Sequence, residues 1–158
     1  MSRGSTGNTA SGAFEKPGRS STVVNLETAR RMLPLVRHII GDIVQSRHTL
    51  ERLQPEQERL DRHKCKLDWP QRQRRYQVRE EMAATEQNLS QSLAELQGLS
   101  VILVDPELGQ VGFPTIVNKR PAFFSWHPGE EELLFWHFAD DPVRRPIPKM
   151  WLKGGTSA

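Results

Sequence analysis

Apolar residues recur at helical spacing through the first two thirds of the chain and with a period of two through the last third. Leu26, Ala29, Leu33, Val36, Ile40, Ile43, Val44, Leu50 and Leu53 fall at the intervals that line one helix face. Asn25 precedes them as an N-cap, its side chain placed to accept an orphan backbone N–H. Pro34 removes one helical hydrogen bond and crowds the turn before it. The pattern therefore predicts either a short helix ending near Met32 and a long one restarting with Pro34 in its first turn, or a kink. From Gln54 to Asp68 the chain is strongly charged, and continues as solvated helix around Pro55 or forms a hairpin tip. Asp68-Trp69-Pro70 reads as a cap and first turn, after which Tyr76, Met82 or Ala83, Leu89, Leu93 and Leu96 recur at near-heptad spacing until Gly98. Two long helices joined by a charged tip pack antiparallel, in the manner of a short coiled coil.

From Leu99 the period is that of strands. Val101 to Val104, Val111 to Val117, Ala122 to Trp126 and Leu133 to Phe138 are apolar runs. They are separated by the turns Asp105 to Gly109, Asn118 to Pro121 and His127 to Glu130. Gly112 and Pro114 mark irregularity in the second run. Phe124 and Trp126 share one parity, and Phe123 and Ser125 share the other with Leu133, Phe135 and His137, so both faces are apolar. One face needs a cover: the Ile147 to Leu152 tail, the N-terminal segment or another subunit. The fold class is α+β, a long antiparallel helical hairpin on a three- to four-stranded antiparallel meander. Residues 22–152 form one domain, with the hairpin at 22–98, the meander at 99–140 and a C-terminal tail at 141–152. Residues 1–21 and 153–158 read as disordered, being too polar to offset the entropy of ordering them.

Composition adds limits. No apolar run approaches the roughly 20 residues that span a bilayer, and Met1 to Arg19 lacks the apolar core of a secretory signal, so a cytoplasmic protein is expected. A single cysteine, Cys65, excludes an intrachain disulfide and a cysteine-based metal cage. The net charge of +3 is modest, but between Arg59 and Arg79 eight Lys and Arg side chains face only Asp61 and Asp68. That cluster, with Arg72, Arg74, Arg75 and Arg79 at its centre and Trp69 and Tyr76 beside it, is a candidate surface for nucleic acid or another polyanion. The plainer reading is a solvated helix face with i, i+4 partners.

Candidate catalytic chemistry gathers at Ser125, Glu130, His137 and Arg144. Ser125 and His137 have matching parity and can meet if their strands pair, but nucleophilic catalysis also requires an exposed hydroxyl, a base beside it and an oxyanion hole. The plainer reading makes His137 a partly buried histidine bonded to Glu130 or to backbone, and Glu130 a turn carboxylate paired with Arg144. No metal or cofactor motif is complete. His63 and Cys65, at i, i+2, point to different sides of a helix, and His127 with His137 makes a poor pair.

These words, in this order, resemble the bacterial and archaeal domain-of-unknown-function family numbered 2203. The matching residues are Ala29 with Met32-Leu33-Pro34, then Phe113-Pro114, Ser125-Trp126, Gly129-Glu130, Trp136-His137, and Arg144 with Pro146, over roughly Val23 to Ile147. Gly112 stands where the family has aspartate, and Ser125 where it has cysteine. The resemblance implies a fold and no activity. The favoured function is a non-enzymatic interaction or assembly module that self-associates as a homo-oligomer. Polyanion binding at the helix tip is the alternative, and an enzyme site at Glu130, His137 and Arg144 the second.

Overall fold

The computed structural model describes residues 23–154, so the tails placed at 1–21 and 153–158 fall almost wholly outside the described residues. Helix α1, Leu26–Arg62, is unbroken, and Pro34 and Pro55 both lie within it. Neither break nor restart occurs at Pro34. Both prolines are exposed, so the carbonyls they leave unbonded, on the exposed Arg30 and Glu51, face water rather than core. Asn25 caps the helix by accepting the Thr28 N–H at 2.8 Å. Helix α2, Trp69–Gly98, starts with a reciprocal capping box, Asp68 accepting from Gln71 N–H and the Gln71 side-chain oxygen accepting from Asp68 N–H.

The seam of α2 is not the one its apolar letters suggest. Val78, Met82, Thr85, Ser92 and Leu96 are buried and Leu89 is partly so, whereas Tyr76 and Leu93 are exposed. Polar Thr85 and Ser92 occupy seam positions, and Thr85 can do so because its hydroxyl donates to the Glu81 carbonyl at 2.7 Å.

The sheet has five antiparallel strands in chain order: β1 Ile102–Asp105, β2 Gln110–Val117, β3 Arg120–Trp126, β4 Phe135–Phe138 and β5 Arg145–Pro146. The fifth strand, two residues long, extends the meander read from the sequence. Asn118 and Lys119 both have positive φ, 52° and 63°, and join β2 to β3 through a two-residue turn. Pro114 fits inside β2 because β1 pairs with β2 only as far as Gly112. On that open side its carbonyl accepts the Val24 N–H at 2.7 Å, and its missing N–H leaves no ladder bond unmade.

One sheet face, carrying Val111, Phe113, Phe124, Trp126, Trp136 and Phe138, packs with Leu26, Ala29, Leu33, Val36, Ile39, Ile40 and Ile43 of α1 in the main core. Ile147 and the flanking Trp151 of α3, Lys149–Gly154, join this same core, with Trp151 and Trp136 ring centroids 5.4 Å apart. The C-terminal segment thus extends the helix-side core rather than covering the opposite face. Gly109 (φ 73°) presses the β1–β2 turn onto Ile40 and Val44 of α1. Beyond Val44 the helices run on as an arm whose remaining 18 residues of α1 span about 27 Å. The arm has its own distal core of Leu53, Leu60, Val78 and Met82. A polar cleft of about 430 Å³, lined by residues such as Gln45, Thr49, Asn88 and Gln91, lies between that distal core and the sheet. Among the described residues no helix is long and apolar enough to cross a membrane.

Candidate functional site

Register decides which of the candidate residues meet. Gly112 pairs with Ser125, Ser125 with Phe135, and Phe123 with His137. These residues share the sheet face turned away from α1, and the two departures from the family pattern, Gly112 and Ser125, are direct cross-strand neighbours. Arg144 enters just before β5 and lies over the Phe135 ring, 4.5 Å from its centroid. From there its Nε donates to Ser125 Oγ at 2.9 Å, and Nη2 donates to the Ser125 carbonyl at 3.2 Å and to Glu130 Oε1.

Glu130 is fixed from both ends. Its Oε1 also accepts the His127 N–H at 3.0 Å, and its carbonyl accepts from Trp126 Nε1 at 2.7 Å. Gly129, at φ 102°, supplies the left-handed turn that lets Glu130 fold back on the end of β3. Gln110 Nε2 gives Ser125 Oγ a second donor at 3.0 Å. Ser125, fully buried, therefore accepts two N–H groups, and among the described residues no base takes its proton.

Ser125, Glu130 and Arg144 converge, and His137 does not join them. Its strand partner is Phe123, with ring centroids 5.6 Å apart. Nδ1 lies 2.8 Å from the Phe138 carbonyl, an acceptor, so Nδ1 carries the hydrogen. Nε2 is buried and finds no hydrogen-bond partner among the described residues. The expected serine–histidine contact is not made, because the register offsets the two residues by two positions along one face. Sequence reasoning paired Glu130 with Arg144 but missed Gln110. Its signal was parity, since Gln110 lies two residues before Gly112 on the same face. Among the described residues no group of three or more His, Cys, Asp or Glu side chains is arranged to hold a metal ion.

The basic tip divides into two kinds of cation. Arg74 makes a bidentate pair with Glu56 of α1 at 2.6 and 3.0 Å, and Arg75 Nε donates to Asp61 at 2.7 Å, so both tie the helices together. Arg72, Arg79 and Lys64 have no carboxylate within ion-pair distance among the described residues, yet with Arg75 and Tyr76 they line one groove of about 600 Å³. Arg74→Gln is expected to lower the urea midpoint modestly, the pair being partly exposed, and Arg72→Gln to leave it close to the parent's. Urea denaturation of the two variants checks the contrast.

The Arg74 hydrogen bond holds the Glu56 carboxyl below its ordinary value of 4.5, outweighing the opposing effect of burial. Glu56 binds fewer protons folded than unfolded. The pair's stabilisation is therefore present above pH 4.5 and is lost as pH falls through the depressed value. Protection of the Leu53 and Val78 amides from exchange, relative to the intrinsic rate at each pH, is expected to fall in that acid window before protection in the main core does.

The fold is an α+β domain in which a helical hairpin packs on an open antiparallel sheet, with a cluster of buried Ser125 and partly buried Glu130 and Arg144 on the far face. The chain belongs to the DUF2203 family of uncharacterized conserved proteins, whose profile matches residues 23–147. No curated protein and no solved structure matches it.

Proposed function

We propose that this chain is a non-enzymatic interaction module in which the sheet is the scaffold and the distal arm the contact surface. One contrast carries the reading. The polar groups of Ser125, Glu130 and Arg144 are spent on one another, whereas the arm tip exposes Trp69 and Tyr76 at 66% and 64% beside Arg72 and Arg79, which have no carboxylate within ion-pair distance among the described residues. Large aromatics and arginine left to solvent on a well-formed scaffold are the residue types that anchor interfaces.

Self-association loses the warrant it had from the sequence. On the second sheet face Gly112, Pro114, Ser125 and His137 are buried within the single chain, and Leu35, Leu93 and Ile116, each exposed, sit on three different elements. An enzyme reading lacks a base beside Ser125. If Trp69 and Tyr76 serve a partner rather than the fold, the double variant Trp69→Ser, Tyr76→Ser keeps its unfolding free energy within ~0.5 kcal/mol of the parent. A loss beyond about 1.5 kcal/mol makes them structural and removes the arm as the contact surface.

A further inference from the structure

We infer that the arm tip binds single-stranded nucleic acid, with phosphates on Lys64, Arg72 and Arg79 and bases stacked on Tyr76 and Trp69; this rests on the reading of the arm as the contact surface. Trp69, Arg72, Tyr76, Arg79 and Ala83 follow one another at three- and four-residue steps, so they form one stripe along α2. Aromatic and guanidinium groups alternate along that stripe. Arg72 and Arg79 flank Tyr76 one turn to either side, and the two aromatics stand about 10 Å apart along the helix axis.

The groove beside Tyr76 has an apolar floor from Leu67 and Ala83 and a cationic rim from Lys64, Arg72, Arg75 and Arg79. Arg75 is engaged by Asp61, which leaves three cations for phosphate. Glu80 is the acid on this rim, and its carboxylate, accepting from the Tyr76 hydroxyl, raises the phenol's pKa. A second groove, lined by Arg59, His63, Lys66 and Arg74, adjoins Leu67 from the other side of the tip, so the basic track continues past the first groove.

A duplex keeps its base faces stacked inside, and a bare polyphosphate has none, so exposed aromatic platforms between cations fit neither. An extended single strand offers both groups at once: charge along its backbone and a flat π-face on every base, which makes such binding tolerant of sequence. A lipid surface would draw on an apolar stripe, and here each aromatic of the stripe is followed by an arginine.

The test uses the full chain and a fluorescein-labelled oligo(dT) of about 12 nucleotides, followed by anisotropy across a salt series. Binding is expected at low ionic strength, with log affinity falling against log salt at a slope of about −2 for three phosphate contacts on a single strand. Arg72→Gln with Arg79→Gln reduces the magnitude of that slope by about 1.4. Tyr76→Ala weakens binding at least about 5-fold while Tyr76→Phe retains it, since stacking needs the ring and not the hydroxyl. Three results overturn the inference: no binding by protein with the parent's circular dichroism and melting curve, affinity indifferent to Tyr76→Ala, or displacement by inorganic polyphosphate or phosphatidylserine vesicles as effective as by unlabelled oligo(dT). The arm reading stands or falls separately, on the stability of the Trp69→Ser, Tyr76→Ser variant.

Discussion

Arg144→Ala is expected to lower the unfolding free energy by about 2–3 kcal/mol. The arginine side chain is 22% exposed and the Glu130 side chain 11%, so the loss falls short of that for a wholly buried pair. Three things go at once. Glu130 Oε1 loses its charged donor, Ser125 loses donors at both its hydroxyl and its carbonyl, and the Phe135 ring loses the guanidinium lying over it. The Glu130 carboxylate then remains in a folded-back turn with only the His127 N–H at hydrogen-bond distance. Arg144→Lys keeps the charge but not the planar fork that reaches Ser125 and Glu130 together, so it recovers only part of the loss. Chemical denaturation of the two variants reads the difference, and a parent-like Arg144→Ala would show that the cluster does not hold the sheet edge.

Gly112→Ala is expected to cost about 2–3 kcal/mol by overpacking. A Cβ at this position would lie 2.8 Å from Phe123 Cγ and 2.9 Å from Phe123 Cβ and Cδ1. Those atoms are near the root of the side chain, so a rotamer change at its far end gives no relief. The ring can leave only by moving off its strand, where it also packs on His137. Adding Phe123→Ala removes the contacts with Cγ and Cδ1 but keeps the Cβ at 2.9 Å, so it should relieve only part of the cost, a coupling that a double-mutant cycle measures. The same geometry bears on the family resemblance: the aspartate expected at this place cannot be accommodated with Phe123 seated as it is.

Helical and strand periodicity made both long helices and four of the strands legible, because each element buries one regular stripe. The finer reading of α2 failed at Tyr76 and Leu93, since a seam filled in part by Thr85 and Ser92 is invisible to a count of apolar letters. Pro34 left a break and a kink open, and the continuous α1 excludes the break. A proline costs a helix less where its freed carbonyl can bond water, and one-dimensional pattern does not show which side faces water. Parity placed Ser125 and His137 on one face correctly. The two-residue offset came from pairing register, which turn geometry sets and spacing alone does not fix. The Glu130–Arg144 pair was legible as a turn carboxylate with a downstream arginine, and Gln110 was not, because glutamine carries no chemical signature until its strand neighbours are known. At the tip, sequence supplied the density of charge, while only the structure separated Arg74 and Arg75, which tie the helices, from Arg72 and Arg79, which do not.

The most direct test of the central claim, that the far sheet face is a structural lock, is the urea midpoint of Ser125→Ala. A serine kept for chemistry is replaced by alanine with no loss of stability, and often with a gain. A serine that accepts from Gln110 and Arg144 leaves two partly buried donors unpaired when its oxygen goes. The account predicts a lower midpoint at unchanged slope, equivalent to about 1–2 kcal/mol. A midpoint equal to or above the parent's would contradict it.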